Sequence, residues 1–314
     1  MLQALHRHSK MDWYVLRIRN VRWLLLAQFL TNMAFFSTVI VAFETNRGLT
    51  YTEIFALESV LAAAIFVLEV PTGVLADRWG YRRLLLVGHG CYLASYVLFA
   101  LAWDFWSFAA SSALYGAGIA CLSGCDSALL YESLPLDQRE ELSGPAFALL
   151  SNASTGGFFV GLATGSFLGA IDPQLAVTVT ILPAALGFFA AFGLTDAGAG
   201  GQLGGLPAAD AAAHSGGGKS VTALLRQALD LVRRQPATAG LSLLGSAAFP
   251  LWNSIFWYNQ PLFARASIPV AWFGPLTAAA VGLQMLVTAR APAAERRLGL
   301  GGALALSTLL PGLA

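Results

Sequence analysis

Apolar stretches long enough to cross a lipid bilayer recur along the whole chain. A membrane helix needs about 20 mostly apolar residues. Eight stretches meet this length, at 21–43, 54–76, 84–103, 105–130, 146–170, 174–195, 237–260 and 269–290. A ninth begins near residue 302 and is cut off by the end of the chain. Because isolated strands leave backbone groups unpaired in lipid, we expect an all-α membrane protein with eight to nine transmembrane helices.

Composition excludes a soluble domain and a nucleic-acid-binding protein. Hydrophobic residues make up 57% of the 314 positions and charged residues 11%, against about 25% charged residues in soluble domains. The net charge is +1 and the basic residues are scattered, so no basic patch for nucleic acid is predicted. The uncharged run Trp23–Phe43 is too long for a signal-peptide core and is expected to remain as the first span.

The distribution of Lys and Arg predicts the orientation. With the N-terminus in the cytoplasm, sixteen of the eighteen basic residues fall in cytoplasmic segments, and only Arg47 and Arg265 lie outside. Cytoplasmic loops carry such an excess of positive charge. The sequence therefore predicts a multi-pass protein of the cell (inner or plasma) membrane with a cytoplasmic N-terminus.

A change in composition divides the chain into three parts. Residues 196–218 are rich in Gly and Ala, which is typical of a linker. Residues 219–235 place apolar residues at helical spacing between charges, as in an amphipathic helix on the membrane surface. We therefore predict a six-helix N-terminal bundle at 1–195, a cytoplasmic linker with an amphipathic helix at 196–236, and a partial C-terminal bundle at 237–314.

A short motif after the second helix is repeated weakly after the eighth. Residues 77–80 read Asp-Arg-Trp-Gly, and residues 296–299 read Arg-Arg-Leu-Gly. Similarity between two halves is typical of transporters built from two related bundles.

The segment 73–83, with the sequence Gly-Val-Leu-Ala-Asp-Arg-Trp-Gly-Tyr-Arg-Arg, resembles a loop of the major facilitator superfamily. That loop joins helices two and three and has the pattern Gly-x-x-x-Asp-Arg/Lys-x-Gly-Arg-Arg/Lys. The preceding Glu69-Val70-Pro71-Thr72 is similar to the drug-efflux branch. The resemblance extends to the helix order, the linker position and the half repeat. It implies a twelve-helix fold, of which this chain, truncated at its C-terminus, would hold six helices and part of the second bundle.

By this resemblance, the loop is a conformational latch that holds the two bundles in the outward-facing state. The residues assigned to the latch are Gly73, Asp77, Arg78, Gly80, Arg82, Arg83 and Glu132. Tyr81 stands where the family often has Arg, so either Arg82 replaces that residue in a charge relay with Glu132 or the relay is absent. A positive cytoplasmic loop with a turn glycine is the alternative reading.

Three acids within the spans are candidates for proton coupling, because an ionisable residue in the membrane is costly and points to function. They are Glu58, Glu69 and Asp126. A carboxyl group facing a central cavity could bind a proton that drives substrate transport. Alternatively, Glu58 lies near the outer surface in water, while Glu69 and Asp126 pair with the loop arginines.

Polar and small residues suggest a cavity and close helix packing. Cavity candidates are Gln28, Asn32, Trp252, Asn253 and Trp257. Trp257 could equally belong to an interfacial aromatic belt. Small residues at four-residue spacing let helices approach each other closely, and the glycines concerned are Gly116, Gly124, Gly157, Gly161, Gly165 and Gly169.

Together these features predict a secondary active transporter of a small molecule that works by alternating access. Export of a small molecule, with proton coupling left open, is the leading hypothesis, and nutrient uptake is the first alternative. A non-transporting receptor or regulator, or an inactive fragment on the same scaffold, remains open. The sequence contains no phosphate-binding loop, metal-ligand spacing or catalytic triad, so we expect no enzyme activity, no cofactor and no metal.

Overall fold

Helices make up the regular secondary structure in residues 14–196 and 258–283, the ranges described by a computed structural model. They are α1 (Arg19–Thr31), α2 (Ile40–Asn46), α3 (Tyr51–Trp79), α4 (Tyr81–Leu101), α5 (Phe105–Leu122), α6 (Cys125–Ser133), α7 (Arg139–Ile171) and α8 (Pro173–Ala191). Residues 258–265 and Val270–Leu283 are also helical. The predicted linker beyond Asp196, most of the seventh span, the ninth span and the repeat at 296–299 lie outside the described residues.

The described part contains five helices that are long and apolar enough to cross a membrane, or six if α1 and α2 form one bent span. These helices coincide with the first six predicted stretches, and α3, for example, extends the predicted 54–76 to Tyr51–Trp79. The prediction of an all-helical, multi-pass membrane protein is therefore confirmed for the part of the chain that the structure describes.

The first span is not the continuous helix that its apolar run predicted. It bends by 56° at an irregular segment that contains a 3-10 turn, Phe35–Thr38. No proline causes the bend. The backbone of this segment instead lies directly against α7, where glycines leave room for it. Sharp bends without a proline also occur where another group interrupts the backbone hydrogen-bond ladder of the helix.

The fourth predicted span, 105–130, is also interrupted. Gly124 adopts φ 76 and ψ −27, a left-handed conformation that separates α5 from α6. A left-handed residue cannot continue an α-helix, and glycine adopts this conformation without steric cost. The Thr72 hydroxyl of α3 donates to the Ala120 carbonyl oxygen at 3.0 Å, which satisfies a backbone group near the end of α5.

Side chains at the N-terminal ends fix where three of the helices begin. Thr50 and Glu53 form a reciprocal capping box on α3. Asp104 accepts from the Ser107 amide at 3.0 Å, and Asp172 accepts from the Gln174 amide at 2.9 Å. Each cap satisfies a backbone donor that has no partner within its helix.

Two apolar clusters occupy the two ends of the bundle. α4 packs between α5 and α8, α3 packs on α5, and α1 packs between α7 and α8. One cluster, centred on Leu24, Leu85 and Leu130, lies at the end where α1 begins. The other, centred on Phe43, Phe99 and Phe108, lies at the opposite end. Polar side chains lie between the clusters, including Thr31 Oγ1 and His89 Nδ1, which are 2.9 Å apart.

Candidate binding cavity and latch loop

A cavity of about 460 Å³ opens among α1, α2, α3, α4 and α5. Its wall also includes Phe158 of α7 and Val281 of the C-terminal segment. A volume in this range is typical of small-molecule sites. In the first span, the wall is formed by Asn32 directly after α1, by the bent segment and by α2.

Acidic, hydroxyl and aromatic groups line this cavity. Glu44 of α2 and Glu58 of α3 supply two carboxyl groups, and the described lining residues include no Lys, Arg or His. The hydroxyl groups belong to Ser37, Ser95, Ser111, Ser112, Tyr96 and Tyr115. Phe36, Phe99 and Phe158 add aromatic surface. The cavity therefore combines two carboxyl groups with aromatic surface of a kind that suits an apolar or cationic ligand.

Glu44 is the principal cavity residue that sequence reasoning missed. The predicted first span ended at residue 43, which left Glu44 in an outer loop. In the structure, α2 continues to Asn46 and the Glu44 side chain is only 4% exposed. The only sequence signal was an acid directly after an uncharged run. The bend that draws Glu44 inward has no local signature.

A chain of side chains connects Asp126 to the cavity. Gln28 Nε2 donates to Asp126 Oδ2 at 3.0 Å. Asn32 Nδ2 donates to the Gln28 carbonyl oxygen at 2.8 Å and to Gln28 Oε1 at 3.2 Å, and Asn32 lines the cavity. Asp126 lies in the first turn of α6 and accepts from the Ser127 amide at 2.6 Å. The structure thus brings together three residues that the sequence suggested for two separate roles.

The other two candidate acids lie apart from each other. Glu58 lines the cavity and is half-buried. Glu69 is exposed on the described part of the bundle, and the Ser123 hydroxyl lies 3.5 Å from its Oε1. Glu69 is eleven positions further along the same helix and is not among the residues that line the cavity containing Glu58.

The predicted latch loop is a tight turn between α3 and α4. Gly80 has φ 83 and ψ 153, a conformation that other residues rarely adopt. Gly73, Asp77, Arg78 and Arg83 are exposed. No described atom lies within 4 Å of the position that a Cβ at Gly73 would take. The turn role of Gly80 follows from its backbone, whereas locking of the two bundles stays a prediction.

Arg82 makes a different contact from the relay suggested by the sequence. Its Nε donates to the Leu194 carbonyl oxygen at 2.6 Å, just after the end of α8. Glu132 is exposed, and its own carbonyl oxygen accepts from Arg139 at 3.0 Å. Arg82 therefore ties the loop to α8, and the relay between Arg82 and Glu132 stays a prediction.

Glycines on α7 form a groove for the bent part of the first span. They are Gly157, Gly161, Gly165 and Gly169, and a Cβ at these positions would meet Phe29, Ala34, Phe35 and Val39 respectively. On α5, a Cβ at Gly116 would lie 2.9 Å from the Leu61 carbonyl oxygen of α3. Gly124 differs, because no described atom would lie within 4 Å of its Cβ. Its left-handed backbone, rather than packing, accounts for glycine at that position.

The remaining cavity candidates, Trp252, Asn253 and Trp257, lie outside the described residues. So does any contribution of the predicted half repeat. No family model matches the chain, and no curated protein matches it. The residues themselves are therefore the basis for any functional conclusion.

Proposed function

We propose that the protein is a secondary transporter of the major-facilitator type that moves a small organic cation through the cavity between Glu44 and Glu58. The observation that carries this proposal is a cavity of about 460 Å³ with two carboxyl groups inside an apolar helix bundle. The loop at 73–83 and its resemblance to the family support the same scaffold. The substrate enters and leaves by alternating exposure of this cavity to the two sides of the membrane.

The charge of the lining selects the substrate class. A carboxylate in low-dielectric surroundings is stabilised by a proton or by a cationic group close to it. The described lining holds two carboxyl groups that a cationic ligand can contact. Tyr96, Tyr115 and Phe99 line the cavity, and aromatic rings can attract a cation and cover its apolar parts. An amine or quaternary cation with an apolar body fits this combination.

Coupling to protons is part of the proposal, and it rests on the chain from Asp126 through Gln28 to Asn32. Protonation of Asp126 weakens its Oδ2 as an acceptor for the hydrogen bond from Gln28. Gln28 in turn holds Asn32 at the cavity wall. Protonation of Asp126 can therefore alter the cavity through Gln28 and Asn32. This arrangement supports the proposal that a proton is exchanged for the cation.

Binding of tetraphenylphosphonium to the purified full-length protein tests the proposal. We expect Glu44→Gln and Glu58→Gln each to weaken binding by about tenfold, the effect of losing one charge-assisted contact. Glu53→Gln is the matched control, because Gln can still complete the capping box outside the cavity. Equal binding of the isosteric anion tetraphenylborate, or unchanged affinity in both cavity variants, would contradict the proposal.

Flux in proteoliposomes distinguishes a transporter from a receptor on the same scaffold. A pH gradient is expected to drive tetraphenylphosphonium transport by the unsubstituted protein. Asp126→Asn is expected to keep binding while removing the response to the pH gradient. Binding without any flux would favour a receptor, and an unaltered pH response in Asp126→Asn would exclude Asp126 as the coupling acid.

A further inference from the structure

The short helix α2 begins without a cap from its own sequence. Its N-cap residue is Val39, and the cap has no side-chain hydrogen bond. Helices leave their first amides without internal partners, and most helices supply a nearby Ser, Thr, Asp or Asn for them. An amide left unpaired at membrane depth is costly, because no water replaces the missing acceptor.

Gln260, from the C-terminal segment, supplies the missing partner. Its Oε1 accepts from the Val41 amide at 3.0 Å, and its Nε2 donates to the Ser37 carbonyl oxygen at 2.9 Å. Gln260 is 7% exposed, and both hydrogen bonds are buried. One amide side chain therefore satisfies a donor and an acceptor on opposite sides of residue 39, where the 3-10 turn passes into α2.

Neighbouring contacts hold the C-terminal segment in this position. The rings of Tyr258 and Phe55 stack with centroids 5.5 Å apart. The Ser166 hydroxyl of α7 donates to the Ala271 carbonyl oxygen at 2.8 Å. The segment thus contacts α3 and α7 on either side of the bent span, which directs Gln260 to its backbone.

We propose that Gln260 is a positioning residue for the binding cavity, because its amide fixes the start of α2 and so holds Glu44 against the cavity. Glu44 lies one helical turn after Val41, on the same side of α2. Phe43 provides a second constraint, because the centroids of its ring and the Phe99 ring are 5.3 Å apart. Together the two contacts hold α2 in the orientation that places Glu44 at the cavity wall. The role of Glu44 rests on the proposed function, whereas the positioning of α2 does not.

Cysteine labelling of the full-length protein tests the positioning without a ligand. The reporter is Glu44→Cys, in a background where the native Cys91, Cys121 and Cys125 are replaced by Ala. We expect Gln260→Met to raise the labelling rate by a cationic methanethiosulfonate about fivefold, the factor that corresponds to loss of one helix cap. Asn259→Leu is the control, since it removes a polar side chain one position away, and its rate should match the parent.

One further variant keeps the labelling experiment decisive. Gln260→Asn is shorter by one CH2 and stays polar, so it is expected to raise the rate even if the Met variant does not fold. The proposal would be overturned if Asn259→Leu, Gln260→Met and Gln260→Asn all gave the same labelling rate.

A double-mutant cycle then connects positioning to binding. Gln260→Asn is expected to weaken tetraphenylphosphonium binding in the parent and to add little in the Glu44→Gln background, because both changes act through the same carboxyl group. Additive losses would overturn the link to Glu44. If the parent does not bind the probe at all, the proposed function fails while the labelling result still decides the positioning of α2.

Discussion

Single polar side chains join segments that are far apart in the sequence. Asn20 is 7% exposed, and its Nδ2 donates to Ser133 Oγ and to the Thr195 carbonyl oxygen, each at 2.9 Å. Its Oδ1 accepts from the Thr195 amide at 2.9 Å. One residue thus ties the start of α1 to the ends of α6 and α8. In the sequence, Asn20 is only a polar residue between two arginines ahead of an apolar run, so its role had no local signal.

Asp104 provides a prediction at the same scale. Hydrogen bonds from the Ser107 hydroxyl and amide hold the pKa of the exposed Asp104 carboxyl below its usual range. A carboxyl with a lowered folded-state pKa stabilises the fold above its unfolded pKa of about 3.9 and loses that contribution as the pH falls through the folded value.

Asp104→Ala is therefore expected to destabilise the protein at pH 7 but to have less effect at pH 3. Asp104→Asn should be close to neutral at pH 7, because Asn caps helices as well as Asp does, and it should flatten the acid dependence in this range. Thermal unfolding in detergent across this pH range measures both effects. If Asp104→Ala destabilised the protein as much at pH 3 as at pH 7, the stabilising role of the ionised Asp104 carboxylate would be contradicted.

At the scale of elements, two spans are interrupted for different reasons. The break between α5 and α6 is encoded locally, because Gly124 takes a left-handed conformation. The bend in the first span depends instead on a groove in α7 and on Gln260. Interrupted spans are tolerated where they line a cavity and where other groups satisfy the exposed backbone. Both interruptions contribute to the polar chain between Asp126 and the cavity.

The groove in α7 allows a matched pair of substitutions. A Cβ at Gly165 would overlap the Phe35 carbonyl oxygen, whereas no described atom lies within 4 Å of a Cβ at Gly144. Gly165→Ala is expected to lower the free energy of unfolding by about 1–3 kcal/mol through overpacking. Gly144→Ala, in the same helix, should raise it by about 0.5–1 kcal/mol through helix propensity. Denaturant unfolding in detergent compares them, and equal effects would exclude the groove as a packing constraint.

At the scale of the whole molecule, side-chain networks mark two opposite ends of the bundle. Arg47 contacts Gln174, which donates to the Ala100 carbonyl oxygen at 3.1 Å, so the segment before α3, the last turn of α4 and the first turn of α8 meet at one end. Asn20 and Arg82 join the segments at the other end. The excess of Lys and Arg predicts that this second end faces the cytoplasm.

Accessible cysteines test this orientation. Trp103 is 71% exposed between α4 and α5, and Asp137 is exposed between α6 and α7. With the native cysteines replaced, an impermeant maleimide should label Trp103→Cys in intact cells and Asp137→Cys only after permeabilisation. Labelling of Asp137→Cys in intact cells and of Trp103→Cys only after permeabilisation would show the opposite orientation. Labelling of both cysteines in intact cells would contradict a membrane span between residues 103 and 137.

The apolar runs, the helix caps and the turn at Gly80 were predictable from the sequence, because each depends on residues within a few positions of one another. Span length follows from about 20 consecutive apolar residues, and a cap follows from a polar residue at the helix start. Most helix positions in the described part therefore needed no tertiary information. The candidates Gln28, Asn32 and Glu58 also came from this local reasoning, since each is polar within an apolar run.

The tertiary structure alone decided the bend of the first span and the place of Glu44 in the cavity. The groove in α7 lies more than a hundred residues from that span in the sequence, and Gln260 is 219 residues from Val41. Backbone groups at the bend find partners only when these distant segments pack together. The sequence by itself thus determined a multi-pass helical membrane protein with acids within and next to its apolar runs. Long-range packing determined which of those acids meet at one site, because their directions depend on a backbone shape that no local pattern encodes.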